Sequence, residues 1–315
     1  MKNFADELYT AIKHMQCPVV MGLDPLLSYI PDEITECAKK ECQDIQAAAA
    51  SAILKFNKML LDAVTGIIPA VKPQIAYYEL YGIHGIQAFH DTITYAKEKG
   101  FLVIADAKRN DIGSTAAAYA DALIGETDIW GQKEAMFAAD AVTVNAYLGI
   151  DGIQPFLDVC KEKGKGIFIL VRTSNPSAGD FQDLVLEDGK PLYERVAEKV
   201  NEWGIPLVGE SGYSSVGAVV GATWPEQASI VRKIMPAANI LVPGYGAQGG
   251  SADAAAANFD KNGYGAIVNA SRSLMCAYKK RPDLKSMDFQ KATYDEAVRM
   301  KNDLNQAVEK MLKGQ

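Results

Sequence analysis

Eight short apolar runs recur along the 315 residues, each separated from the next by a longer stretch of helical pattern, and this alternation constrains the fold more than any other feature. The runs start at Pro18 (PVVMGLD), Pro69 (PAVKPQIA), Phe101 (FLVIADAK), Asp140 (DAVTVNAY), Gly166 (GIFILVRTS), Val216 (VGAVVGAT), Asn239 (NILVPGYG) and Ala266 (AIVNASRS). Most lack strict polar–apolar alternation, as expected of parallel strands covered by helices. Segments such as AAAASAILKFNKMLLDAV, HDTITYAKEKG and PLYERVAEKVNEWG carry helical spacing, and several end in a Lys-rich turn followed by Gly. Eight strand–helix units predict an α/β protein: one (β/α)8 TIM barrel domain over residues 1–315, with an amphipathic helix at about 288–313 packed against it. A doubly wound open sheet is the weaker alternative. MGLDP stands where its GxGxxG would follow the first strand, and no Pro/Gly/Ser linker divides the chain.

Composition narrows the partners. The 32 Lys and Arg face 39 Asp and Glu, a formal charge of −7, which argues against a nucleic-acid partner but leaves room for a small anion held by a few local cations. No apolar stretch approaches the length of a membrane helix, and MKNFADELYT does not read as a secretory signal. Five scattered cysteines without a CxxC pair fit reduced thiols in a cytoplasmic protein. His84 and His90 stand six apart on an expected helix and point to different faces, and His14 is alone, so no metal site is expected.

In such a barrel the active site forms at the C-terminal ends of the strands. Asp24, Lys72, Asp106, Lys108, Asn145, Thr173, Ser174, Ser271 and Arg272 all fall there, too many polar residues on one rim for solubility alone. The sharpest cluster is VIADAKRNDIGST, residues 103–115. Strand alternation puts Asp106 and Lys108 on one face above Ile104, with Ala105 and Ala107 toward the helices and Asp111 on the following loop. Flanking carboxylates favour the charged ammonium of Lys108, which suits proton donation to a carbanion and not Schiff-base chemistry. A solvated salt-bridge cluster is the plain alternative. After the seventh strand, PGYGAQGG (243–250) is a glycine-rich loop leading into an expected helix at SADAAAANF, whose N-terminus favours negative charge, and with Arg272 it matches the kind of phosphate site barrels build there.

DAKRNDIGST resembles the signature of the orotidine 5′-phosphate decarboxylase family, D-x-K-x-x-D-[IV]-x-x-T, with Asp106, Lys108, Asp111, Ile112 and Thr115 at its fixed positions. The likeness runs from about residue 18 to about residue 280 and is nearest to the longer-chain branch, through KPQ after the second strand and RTSNPS after the fifth. It implies a Lys–Asp–Lys–Asp array of Lys72, Asp106, Lys108 and Asp111. It further implies ribose binding by Asp24, pyrimidine binding by Ser174, and 5′-phosphate binding by Gln248 and Arg272. It also implies a homodimer in which Asp111 and Thr115 reach the partner's site. Ser271 departs from the glycine that shorter members carry beside the arginine. The activity so implied is cofactor-free decarboxylation of orotidine 5′-monophosphate to uridine 5′-monophosphate, the last step of de novo pyrimidine nucleotide biosynthesis. Two rivals stay open on the residues alone: a metal-dependent sugar-phosphate enzyme sharing D-x-K-x-x-D on the same barrel, and a non-catalytic nucleotide-binding barrel.

Overall fold

The computed structural model describes residues 3–246 and 249–314. Eight parallel strands close into a barrel, each occurring within one of the eight apolar runs or overlapping it: β1 (Val19–Leu23), β2 (Ala70–Pro73), β3 (Leu102–Arg109), β4 (Ala141–Val144), β5 (Gly166–Arg172), β6 (Ser214–Val220), β7 (Ala238–Val242) and β8 (Ala266–Ala270). Every strand pairs with its neighbours in sequence, and β1 closes the ring against β8 through Val19–Val268 and Met21–Ala270. The strands are buried on both faces because the helices between them cover the outside, which is why their sequences run apolar without a period of two.

Side-chain alternation sorts each strand into two environments. Val71, Val103, Ala105 and Val142 pack outward against the helical layer. Val20, Ala70, Ile104, Ala141 and Phe168 fill the interior. Two residues further along β1 to β4, the inward positions become Gly22, Lys72, Asp106 and Thr143. The apolar plug ends there and a polar mouth begins.

Helix α1 (Phe4–Met15) closes the opposite end. Asn3 caps it, its side chain accepting the Ala5 N–H at 2.9 Å. Phe4, Leu8 and Ile12 face the interior cluster, and the Phe4 ring meets Phe168 edge-on at 5.9 Å. Gly166 makes room for it: a Cβ there would stand 2.3 Å from the Phe4 ring. The mixed acidic start of the sequence carries no strong core signal, yet it supplies the floor of the barrel.

The segments outside the strand–helix units take three forms. Residues 28–46 contain a helix, Asp32–Glu41, that packs on the long helix Ile45–Val64. Residues 121–135 hold a hairpin, Thr127–Ile129 with Gln132–Glu134, whose tip is the fully exposed Trp130. Residues 175–190 form a flap after β5 that opens with a 3-10 turn, Pro176–Ala178, and one helical turn, Gly179–Gln182. The expected C-terminal helix spans Phe289–Lys313 and seals the β1 side, Lys301 and Asn305 donating to the carbonyls of Met15 and Gln16.

Candidate active site

Three charged side chains converge at the polar mouth. The Lys72 ammonium donates to Asp106 Oδ2 at 2.6 Å, and the Lys108 ammonium donates to Asp106 Oδ1 at 2.6 Å. Lys72 and Asp106 are each 5% exposed, whereas the Lys108 side chain is 45% exposed and stands at the solvent edge. The C-terminal ends of the first three strands are stitched together beside them: Gln74 N–H donates to Leu23 O and Ile75 N–H to Asp106 O. Lys72 therefore has little freedom to leave its partner.

Burial and charge oppose each other here. Desolvation alone would push the Asp106 carboxyl up, but the ammonium groups of Lys72 and Lys108 outweigh it and hold it well below the usual carboxylate range. Desolvation likewise works against the Lys72 ammonium, yet the carboxylates of Asp106 and Asp24 keep it above its ordinary value. Asp24 sits just past β1, and its Oδ1 is buried without a hydrogen-bond partner among the described residues. An unpaired carboxylate oxygen at the mouth of a barrel is costly unless something polar meets it.

Strand alternation correctly places Asp106 and Lys108 on one face, but the backbone reaches that arrangement by another route. Ala105 pairs with Val142 and Arg109 pairs with Val144, so three residues of β3 lie opposite the single residue Thr143 of β4. Within this bulge Lys108 adopts φ +48°, a left-handed conformation that side chains rarely take. Thr143 itself escaped the sequence reading, because a threonine in a strand reads as an ordinary β-branched residue.

Asp111 lies on the loop beyond β3, where its Oδ1 accepts the Ile112 N–H at 2.8 Å. Among the described residues it forms no ion pair with Lys72 or Lys108, and Thr115 is exposed on the following helix, Gly113–Leu123. Neither residue joins the array within this chain.

Ser174 packs closely on the β6 end, where a Cβ on Gly221 would meet Ser174 Cβ at 2.8 Å. Its neighbour Thr173 is pinned from two sides, by Gln182 Oε1 to its N–H at 2.9 Å and by Trp224 Nε1 to its carbonyl at 3.1 Å. Arg172, a second residue the sequence reading missed, is 1% exposed. Its guanidinium lies 4.3 Å from the Trp224 ring and pairs with Asp183 at 3.1 Å, tying the flap to the β6 end.

The glycine-rich loop turns sharply, with Gly244, Gly246 and Gly249 at φ +95°, +70° and +91°. Gln248 lies outside the described residues. The N–H groups of Gly246, Gly249 and Gly250 are spent on carbonyls of the loop itself. The following helix is only Ala252–Ala256, and Ser251 already caps it by accepting the Ala254 N–H. The helix-terminus contribution read from the sequence is accordingly small. Arg272, just past β8, is exposed and its side chain makes no hydrogen bond or ion pair among the described residues, so its guanidinium is available to an anion. Ser271 beside it packs over β1: a Cβ on Gly22 would overlap Ser271 Oγ at 1.9 Å. The His84 and His90 rings pair with Asp44 and Asp91.

Comparison with known proteins places this geometry in a family. Residues 43–287 match the family model described as orotidine 5′-phosphate decarboxylase / HUMPS. An orotidine 5′-phosphate decarboxylase from Caldicellulosiruptor saccharolyticus is 42% identical over 98% of this chain and 100% of its own length. One from Rhodopirellula baltica is 43% identical over 95% of this chain and 96% of its own. Among solved structures, the OMP decarboxylase of Leishmania donovani superposes with a TM-score of 0.73 at 29% identity, covering 98% of this chain and 99% of that one. By sequence over most of its length and by its closed eight-stranded barrel, the chain belongs to the orotidine 5′-phosphate decarboxylase / HUMPS family.

Proposed function

We propose that this chain is an orotidine 5′-phosphate decarboxylase, converting orotidine 5′-monophosphate to uridine 5′-monophosphate and CO2 in pyrimidine nucleotide synthesis without a cofactor. The observation that carries the reading is the Lys72–Asp106–Lys108 array, two ammonium groups each 2.6 Å from one buried carboxylate. Breaking the C6–carboxylate bond leaves an electron pair in the plane of the pyrimidine, where the ring cannot delocalise it. Fixed positive charge must then stabilise it. Lys108, at the solvent edge, faces incoming substrate and delivers the proton that C6 takes up as CO2 leaves. Asp106 stands against the departing carboxylate and at the same time orients both lysines. Lys72, held beside the β1–β3 stitch, anchors the array.

The remaining roles follow the geometry of the rim. Asp24 offers its unpartnered oxygen to ribose hydroxyls. Ser174, on the pinned β5 end, hydrogen-bonds the pyrimidine edge. Arg272, with Gln248, holds the 5′-phosphate. Binding energy from that remote dianion serves to orient the reacting ring. Asp111, half-buried on its loop, and the exposed Thr115, both outside the array of their own chain, support a homodimer in which each completes the partner's site. The scattered cysteines without a CxxC pair support a cytoplasmic setting.

The test is the near-UV absorbance of orotidine 5′-monophosphate mixed with the purified protein, with and without EDTA. Loss of the substrate band unaffected by chelator, with uridine 5′-monophosphate as product, is the expected result. Lys108→Ala should abolish turnover while nucleotide binding persists. A folded, nucleotide-binding sample that leaves the band unchanged overturns the assignment, and chelator-sensitive turnover favours a metal-dependent relative.

A further inference from the structure

We infer that Thr143 is a positioning residue for the decarboxylation proposed above, and that its hydroxyl, not its bulk, sets the relation between Asp106 and Lys108. The inference rests on that functional reading. Thr143 is 1% exposed and points into the barrel from β4. Its Oγ1 donates to Asp106 Oδ1 at 2.8 Å and accepts the backbone N–H of Lys108 at 3.0 Å. One hydroxyl thus holds both the carboxylate and the backbone that carries the proton donor.

The bulge explains why such a device is needed. Because three residues of β3 face one residue of β4, the strand ladder cannot satisfy the Lys108 N–H in the regular way. The left-handed backbone at Lys108 persists only where its surroundings determine it. The Thr143 hydroxyl supplies the missing acceptor. It also fixes the rotamer of Asp106, whose Oδ1 then receives the Lys108 ammonium. Side-chain and backbone ends of the same lysine are therefore referred to one fixed oxygen, and a shift at Thr143 moves both.

Thr143→Val keeps the shape and removes the hydroxyl, whereas Thr143→Ser keeps the hydroxyl and removes a methyl. Losing a hydrogen bond to a charged group together with the Lys108 anchor should lower kcat about 10- to 100-fold in the valine variant. KM and the Kd for uridine 5′-monophosphate should stay within about twofold, since Thr143 stands on β4, across the barrel from Arg272 just past β8. Thr143→Ser should restore kcat to within about threefold of the parent. Thermal melts of both variants accompany the kinetics. The inference is overturned if Thr143→Val retains parental kcat, if Thr143→Ser falls as far as Thr143→Val, or if kcat and nucleotide binding collapse together. A parent protein that fails to convert orotidine 5′-monophosphate overturns the decarboxylase reading, and the inference with it. An active parent with an unimpaired valine variant overturns the inference alone.

Discussion

Replacing Asp106 by Asn tests whether the array is held by charge. The change is nearly isosteric, so packing is preserved while the carboxylate that both lysines share is neutralised. The two pairs are not equal in worth. Lys108 is 45% exposed, so its pair is screened by water and contributes at most about 1 kcal/mol. Lys72 is buried, and removing one partner of a buried pair costs about 3–5 kcal/mol because the other charge is left uncompensated. Asp24 remains nearby and offsets part of that, which points to the lower end, about 3 kcal/mol near neutral pH. Urea unfolding followed by circular dichroism measures it. The pH dependence has a definite sign. The folded-state pKa of Asp106 is depressed, so its stabilisation is fully present above the unfolded value near about pH 4 and is lost as pH falls toward the folded value. The gap between parent and variant should therefore be constant from about pH 5 to 8 and narrow below about pH 4. An Asp106→Asn protein as stable as its parent at pH 7, or a gap that widens in acid, refutes the electrostatic account.

Two further outcomes follow from the rim. Arg272→Ala should reduce kcat/KM for orotidine 5′-monophosphate about 100-fold while leaving slow turnover of the phosphate-free nucleoside orotidine within about twofold, as steady-state kinetics on both substrates will show. Gly22→Ala should destabilise the fold by about 1–3 kcal/mol through overlap with Ser271, and the double variant Gly22→Ala with Ser271→Gly should recover most of that loss in the same unfolding assay.

Much of the architecture was legible because parallel strands buried on both faces must be written as apolar runs, and each run occurs as a strand or overlaps one. Asp106 and Lys108 were legible as a pair because a regular strand would put them on one face, although a bulge is what brings them together. What escaped has physical reasons. The Lys108 bulge arises from the register of β3 on β4, a relation between two strands that neither sequence records. Arg172 went unnoticed because nothing in RTSNPS announces that the Trp224 ring and Asp183 will meet its guanidinium. Helix α1 buries Phe4, Ala5, Leu8 and Ile12, of which three are large apolar side chains, too few to announce a core element. The helix after the glycine-rich loop was read as a source of positive potential, and its length of five residues makes it a minor one.

The floor of the barrel has a consequence for the order of assembly. The Asp6 carboxylate accepts the N–H groups of Glu210 and Ser211, Asn3 receives the Ser215 hydroxyl, and Phe4 docks on Phe168. On a ribosome helix α1 must therefore wait, undocked, until the chain has emerged as far as Ser215. The ring itself closes later still, when β8 meets β1, and Lys301 then fastens onto the Met15 carbonyl across a separation of 286 residues. Contacts this distant in sequence slow the search for the native state. The newborn chain spends that interval with its earliest apolar face exposed, the period in which a chaperone has most to offer it.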